Sequence, residues 1–339
     1  MLKLEKKTIL VTGAAGFVGY SLVKHLFTEF ENVKVIGVDN MNDYYDVGLK
    51  KYRLDELIKI QGFSFIKTDI SNKQAMLEIF KKEKPQIIIH LAAQAGVRYS
   101  ITNPDAYIES NIIGFYNILE ASRHYPVEHL VYASSSSVYG GNEKVPYSVN
   151  DKTDNPVSLY AATKKSNELF ADAYCKLFKI PATGLRFFTV YGPAGRPDMA
   201  YYSFTEKLVR GEAIKLFNYG KMSRDFTYID DITSAMIKIM QKPPLEHKVY
   251  NIGNDTPQSL VEFVDILEKH LLENKLIKKP AKRELVPMEP GDVLQTHADI
   301  SELEKDFGFR PTTTLEKGLK EFISWYKEYS SSHQSLNQI

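Results

Sequence analysis

The sequence predicts an α/β fold, a doubly wound parallel sheet with a smaller C-terminal α/β domain. Three observations predict it. Short apolar, β-branched runs alternate with helical stretches through the first half, the pattern of a parallel sheet covered on both faces. A glycine turn, Gly13-Ala14-Ala15-Gly16-Phe17-Val18-Gly19, joins the first run to the first helical stretch. Asp39, Asp69, Ala92 and Ser135 all fall at ends of such runs, where open α/β sheets bind ligands.

The elements follow in order. Thr8–Val11 reads as a strand, and Tyr20–Phe30 as a helix with Leu22, Val23, Leu26 and Phe27 on one face. Glycines between a strand and a helix suit a phosphate-binding turn. The first allows the tight turn, the second lets a pyrophosphate approach, and the third lets helix and strand pack. The spacing is G-x-x-G-x-x-G. Val33–Val38 is a second strand ending in Asp39-Asn40. An acidic residue there is placed to bond an adenosine ribose. No lysine or arginine immediately follows it, so NAD is predicted over NADP.

Phe63–Ile66 is a third strand, ending near Asp69-Ile70, and Lys73–Lys82 an amphipathic helix. Gln86–Leu91 is a fourth strand, leading into Ala92-Ala93-Gln94-Ala95-Gly96. Asn103-Pro104 opens a predicted helix to Ser122. His129–Ala133 is the fifth strand, running into Ser134-Ser135-Ser136-Ser137. From about residue 186 the pattern loosens. Helices are predicted over 202–210, 230–240, 259–272 and 315–329, with strands over 214–217 and 249–252. Residues 331–339 read as a polar tail.

The totals set bounds. At 339 residues the chain is long for one simple core, so two lobes are expected. A net charge of +1 suggests no nucleic-acid or membrane-surface partner. No apolar run is long enough to span a bilayer, no signal-peptide core stands at the start, and Cys175 is the only cysteine. A cytoplasmic protein is expected. The eight histidines show no metal-ligand spacing.

Tyr160-Ala161-Ala162-Thr163-Lys164 places a phenol and an ammonium four apart on one helical face. Free tyrosine titrates near pH ~10, and a close cation lowers that. The pair then offers a proton acceptor near neutral pH. By itself the spacing is common.

Together these features resemble the extended short-chain dehydrogenase/reductase family. The resemblance rests on Thr12-Gly13-x-x-Gly16-x-x-Gly19, Asp39, His90-Leu91-Ala92-Ala93, Ser134–Gly140 and Tyr160-x-x-x-Lys164. It implies Tyr160 as acid/base, Lys164 holding the nicotinamide ribose, and Ser135, with Ser137, at the reacting hydroxyl. Its cofactor contacts would be Gly13, Gly16, Phe17, Val18, Gly19, Asp39, Asn40, Asp69, Ile70, Leu91, Ala92 and Ala93, besides Tyr160 and Lys164.

Leu185–Ala200 and Ala92–Ser100 resemble the UDP-glucuronate 4-epimerases within that family, as do Arg224–Asp231 and Pro290–Val293. Ala194 departs from the tryptophan expected there. The implied reaction oxidises the sugar at C4, lets the 4-keto sugar rotate, and reduces it on the other face, regenerating a tightly bound NAD. The 4-keto uronate is a β-keto acid, prone to lose CO₂, so its carboxylate has to be held. Arg196 suits a bidentate grip on it, with Thr189, Ser136 and Ser137 as hydroxyl neighbours; a diphosphate role for Arg196 stays open. Arg98 is a further substrate candidate. Arg224 is expected at the diphosphate and Asp292 at the nucleotide ribose.

Uronate decarboxylases carry an acidic residue where Ser137 stands, and the Thr189–Arg196 loop disfavours a neutral-sugar epimerase. Intact Tyr160 and Lys164 argue against a cofactor-bound scaffold. The expected division is residues 1–185, with about 228–255, for NAD, and 186–227 with 256–330 for the nucleotide sugar. A homodimer is expected by analogy, through helices around 103–122 and 157–178.

Overall fold

The computed structural model of the chain describes residues 1–288 and 293–333. The first half runs β1 (Thr8–Thr12), α1 (Phe17–Glu29), β2 (Lys34–Asp39), α2 (Val47–Ile58), β3 (Phe63–Lys67), α3 (Lys73–Glu83) and β4 (Ile87–His90). Two short helices, α4 (Tyr99–Thr102) and α5 (Pro104–Tyr107), precede a π-helical stretch at Ile108–Gly114 and then α6 (Phe115–His124). Next come β5 (His129–Ser135), the long α7 (Leu159–Phe178) and β6 (Ala182–Phe187).

The second half holds β7 (Thr189–Tyr191), α8 (Ala200–Val209), β8 (Ile214–Leu216), β9 (Ser223–Arg224) and β10 (Phe226–Tyr228). It continues through α9 (Ile229–Met240), β11 (Lys248–Ile252), β12 (Gln258–Ser259), α10 (Leu260–Glu273), β13 (Arg283–Leu285), α11 (Ser301–Phe307) and α12 (Leu315–His333). The last helix therefore carries residues 331–333, which the sequence assigned to a tail.

Seven strands form one parallel sheet in the order β11-β6-β5-β4-β1-β2-β3. This is the doubly wound, Rossmann-type order, and its switch point lies between β1 and β4. Side chains alternate across the sheet. Ile9, Val11, Ile87, Ile89 and Val131 join one apolar cluster, and Leu10, Ile36, Ile88 and Leu130 join the other. Each such burial contributes about 1.5–3 kcal/mol, so the sheet is fixed in register by its core faces. The first cluster continues into the second half through Tyr191, Tyr201, Phe263 and Phe322. One apolar cluster thus runs from the sheet into the second half of the chain.

One local reading is refined, and two elements were not foreseen. The helix expected from Asn103 to Ser122 runs from Pro104 to His124 with a π-helical stretch inside it, and the Asn103 amide donates to the Tyr99 hydroxyl at 2.8 Å instead of capping. The strand β6 begins with small residues that hide its pattern. Gly184 leaves room for the Tyr132 ring, whose hydroxyl would sit 2.6 Å from an added Cβ. The helix α2 lacks an apolar stripe, because Lys50 and Arg53 stand on its buried face beside Leu49 and Leu57.

Candidate active site

The strand ends open into one cavity of about 1130 Å³. That exceeds the usual ~300–1,000 Å³ of a site for one small ligand. It has room for a dinucleotide and a nucleotide sugar together.

One wall is the glycine turn. Gly13 has φ +73°, and an added Cβ would lie 2.7 Å from Ala92 N. At Gly19 a Cβ would lie 2.2 Å from Gly13 O. Gly16 sits at the start of α1, with no side chain capping it, so backbone N–H groups at the positive end of the helix face the cavity. Phe17, Val18, Asn40, Ile70, Leu91, Ala92 and Ala93 line the same region. Asp39 closes its far end; its carboxylate accepts from Ala15 N at 3.2 Å and Met41 N at 2.8 Å. Asp69 is not among the lining residues. It stands behind Asn40, accepting from Asn40 Nδ2 at 2.7 Å and Ser71 N at 2.8 Å. The cradle that side chains would fill, and the acidic residue at the end of β2, fit a dinucleotide.

The second wall is the start of α7. Ser158 caps it, accepting from Ala161 N at 3.1 Å. Tyr160 and Lys164 follow on the face turned to the cavity, opposite Ser135, Ser136 and Ser137. Lys164 is buried and donates to Ala133 O at 2.8 Å. Burial pulls its ammonium down to about 8. Tyr160 differs from the sequence expectation. Burial raises its phenol above the ordinary value, and the Ser135 hydroxyl and the Arg196 charge offset only part of that. The Lys164 ammonium, held 2.8 Å from Ala133 O, is not among the groups that offset the burial of Tyr160.

The serine turn is braced from behind. Ser135 Oγ donates to Ser137 Oγ and accepts from Ser137 N, both at 3.1 Å. Ser134 Oγ donates to Glu168 at 2.7 Å, and Glu168 holds Arg186 through two hydrogen bonds of 2.8 Å. Arg186 in turn donates to the Tyr139 hydroxyl at 3.0 Å. Sequence reasoning missed this buried pair. The acid lies four residues past Lys164, and that spacing was the available signal.

Asn111 was also missed. It lies buried in the π-helical stretch, accepts from Gln94 N at 2.8 Å and donates to Thr163 Oγ1 at 3.0 Å. Asn167 donates to its carbonyl at 2.7 Å. It joins the loop after β4 to α7, and π-turns are often found at functional sites.

The third wall comes from the second half. Thr189, Arg196 and Arg224 line it, and Arg98 reaches it from the loop after β4 with its guanidinium 4.8 Å from the Phe217 ring centre. Arg196 is paired with Asp198, and Tyr44 lies beside both, donating to Asp198 Oδ2 at 3.3 Å. Arg224 donates to Ser223 O at 2.9 Å and Leu294 O at 3.3 Å. Asp292 falls outside the described residues. Lys50 is a cation the sequence reading did not place near Asp39. It lines the same cavity, with its ammonium held by Asn42 O at 2.7 Å and Asn42 Oδ1 at 2.6 Å.

The profile of the NAD dependent epimerase/dehydratase family matches residues 9–253. The chain belongs to that family. Within it, protein CapI of Staphylococcus aureus is 48% identical over 338 residues, covering 95% of this chain and 98% of the relative. A probable UDP-glucuronate 4-epimerase of Rhizobium meliloti (strain 1021) is 40% identical over 346 residues, covering 96% and 99%. Among solved structures, UDP-glucuronic acid 4-epimerase from Bacillus cereus, in complex with UDP-glucuronic acid and NAD, matches with a TM-score of 0.87. It is 33% identical, and the match covers 95% of this chain and 99% of that one. The family agrees with the resemblance carried by the glycine turn, Asp39 and the Tyr160–Lys164 pair.

Proposed function

We propose that this chain is an isomerase that interconverts UDP-glucuronate and UDP-galacturonate by NAD-dependent epimerisation at C4, without decarboxylation. One observation carries the substrate reading: Arg196 and Tyr160 line the same cavity, and, against burial, the Arg196 charge helps to lower the Tyr160 phenol. C4 and C5 of the sugar are adjacent, and C5 bears the carboxylate. A group that grips the carboxylate therefore has to stand near the group that handles the C4 proton. Arg196 and Tyr160 meet that requirement.

NAD, when bound, accepts hydride from C4 and returns it to the opposite face. The chain's residues do the rest. Tyr160 takes the C4 hydroxyl proton and gives it back. Ser135 bonds the reacting oxygen, and Lys164 holds the ribose and adds positive charge nearby. Thr189, Ser136 and Ser137 surround the uronate end with hydroxyls that do not repel it. Arg196 keeps the carboxylate bond poorly aligned with the C4 carbonyl, which suppresses loss of CO₂. Arg98 and Arg224 attract the diphosphate. The NAD part comprises residues 1–185 with about 228–255, and residues 186–227 with 256–330 hold the nucleotide sugar.

The test is one incubation of the purified chain with UDP-glucuronate and no added NAD, with sugars and CO₂ both measured. UDP-galacturonate without CO₂ is expected. A pentose product, or turnover of UDP-glucose alone, would sink the reading.

The chain also works as a cytoplasmic homodimer in this account. Among the described residues no helix is long and apolar enough to cross a membrane, and the single cysteine fits a reducing compartment. Ile108, Ile113 and Tyr116 on one side, and Leu169, Phe170, Leu177 and Phe178 on α7, are exposed apolar side chains. A second copy, related by a two-fold axis, would cover this face with its own. Light scattering on Leu169→Glu should report a shift toward monomer; an unchanged mass would count against this interface.

A further inference from the structure

Arg53, on α2, is the largest of the fully buried side chains. None of its hydrogen-bond partners is a carboxylate. Nε donates to Ala194 O at 2.9 Å and Nη2 to Gly195 O at 2.8 Å. Nη1 donates to Ala15 O at 3.1 Å and to the Tyr45 hydroxyl at 2.7 Å. A buried guanidinium on neutral acceptors is costly, and an apolar residue would fill the same space more cheaply. Its geometry supplies a reason for it. Ala15 belongs to the glycine turn, and Ala194 and Gly195 are the two residues before Arg196. A planar fork with donors on both edges can reach both loops at once, which a lysine ammonium cannot do in the same way.

The loop it holds has little freedom. Ala194 has φ +53°, a left-handed conformation rare for alanine. Gly195 packs so closely on Tyr201 that an added Cβ would lie 1.7 Å from its hydroxyl. Arg53 itself does not line the cavity, whereas Tyr45 and Arg196 do.

We propose that Arg53 is a positioning residue that ties the cofactor turn to the substrate loop, so that seating NAD in the turn fixes the aim of Arg196. The product readout below rests on the proposed function; the exchange readout does not.

The experiment compares the full-length chain with Arg53→Lys. Amide hydrogen exchange is followed in peptides covering residues 189–200, in protein stripped of NAD and in the same protein after NAD is restored. In the parent chain NAD should slow exchange there, and in Arg53→Lys the loop should no longer respond while the turn still binds NAD. In the same pair, KM for UDP-glucuronate should rise about 10- to 100-fold, the scale of a small misplacement in a site. KM for UDP-glucose should move much less, and some pentose product should appear. A loop that responds to NAD equally in both proteins overturns the proposal, as does an equal loss for both sugars. Should the parent chain fail on UDP-glucuronate, the functional reading falls and the exchange result still judges Arg53. If Arg53→Lys does not fold, Tyr45→Phe, which removes one acceptor at the edge of the cluster, carries the same test with a smaller expected effect.

Discussion

Arg196 is gripped by both oxygens of Asp198, Nε to Oδ1 at 3.0 Å and Nη2 to Oδ2 at 2.5 Å. Burial works against the guanidinium charge, but Asp198 more than restores it and holds Arg196 above its ordinary value. The carboxyl of Asp198 is likewise pushed up by burial and pulled below its usual range by Arg196. The Nε–Nη2 edge of the guanidinium fork is thus turned to Asp198, and the Nη1 side is the edge left for a substrate carboxylate.

Removing that fork should select against the uronate. Arg196→Ala is expected to lower kcat/KM for UDP-glucuronate by about 30-fold or more, the loss of a charge-assisted pair of roughly 2 kcal/mol. A neutral UDP-sugar should lose far less. Steady-state kinetics on the two substrates decides it, and equal losses would put Arg196 on the diphosphate.

Tyr160→Phe should remove about 100- to 10,000-fold of the turnover, the range for a positioned acid/base. Binding of UDP-glucuronate, measured by calorimetry, should change little. Near-normal turnover would remove Tyr160 as the base.

Gly19→Ala should weaken NAD binding. Its Cβ would lie 2.2 Å from Gly13 O, and backbone on both sides leaves nothing soft to move. Overpacking of this kind costs about 1–3 kcal/mol. NAD released from the purified, denatured protein reports it, and parent-level NAD in the variant would contradict the cradle.

Stability should fall in mild acid. Burial holds His129 down to about 4, against a Met240 carbonyl that acts the other way, and it holds His90 down to about 3. Their ordinary value is 6.5. Between these values the unfolded chain binds more protons, so stability rises with pH and is lost as pH falls from 6.5 toward 4. For His129 alone the full drop is about 3 kcal/mol. Urea unfolding at several pH values should show His129→Gln with a shallower acid slope than the parent; parallel slopes would count against it.

Much of this was legible in the sequence because parallel strands and their loops leave local marks. The run Ile87-Ile88-Ile89 needs apolar partners on both faces, and it has them. Gly13 and Gly19 mark close backbone approaches, which a spacing pattern records. The tuning of the site was not legible. Tyr160 and Lys164 are both shifted first by burial, which their spacing does not record. Arg53 and Asn111 were hidden for a related reason: most of their partners are distant along the chain, Ala15, Ala194 and Gly195 for the one, Gln94, Thr163 and Asn167 for the other. Lys50 reaches Asp39's surroundings through α2, a helix whose polar buried face conceals its period.

The central claim is an internal redox cycle at C4 that spares the carboxylate. Its most direct test is UDP-glucuronate deuterated at C4, incubated with the purified chain in ordinary water. UDP-galacturonate that keeps the deuterium at C4 is expected, with no CO₂ released. Label lost to water, or a deuterated pentose accompanied by CO₂, would contradict it.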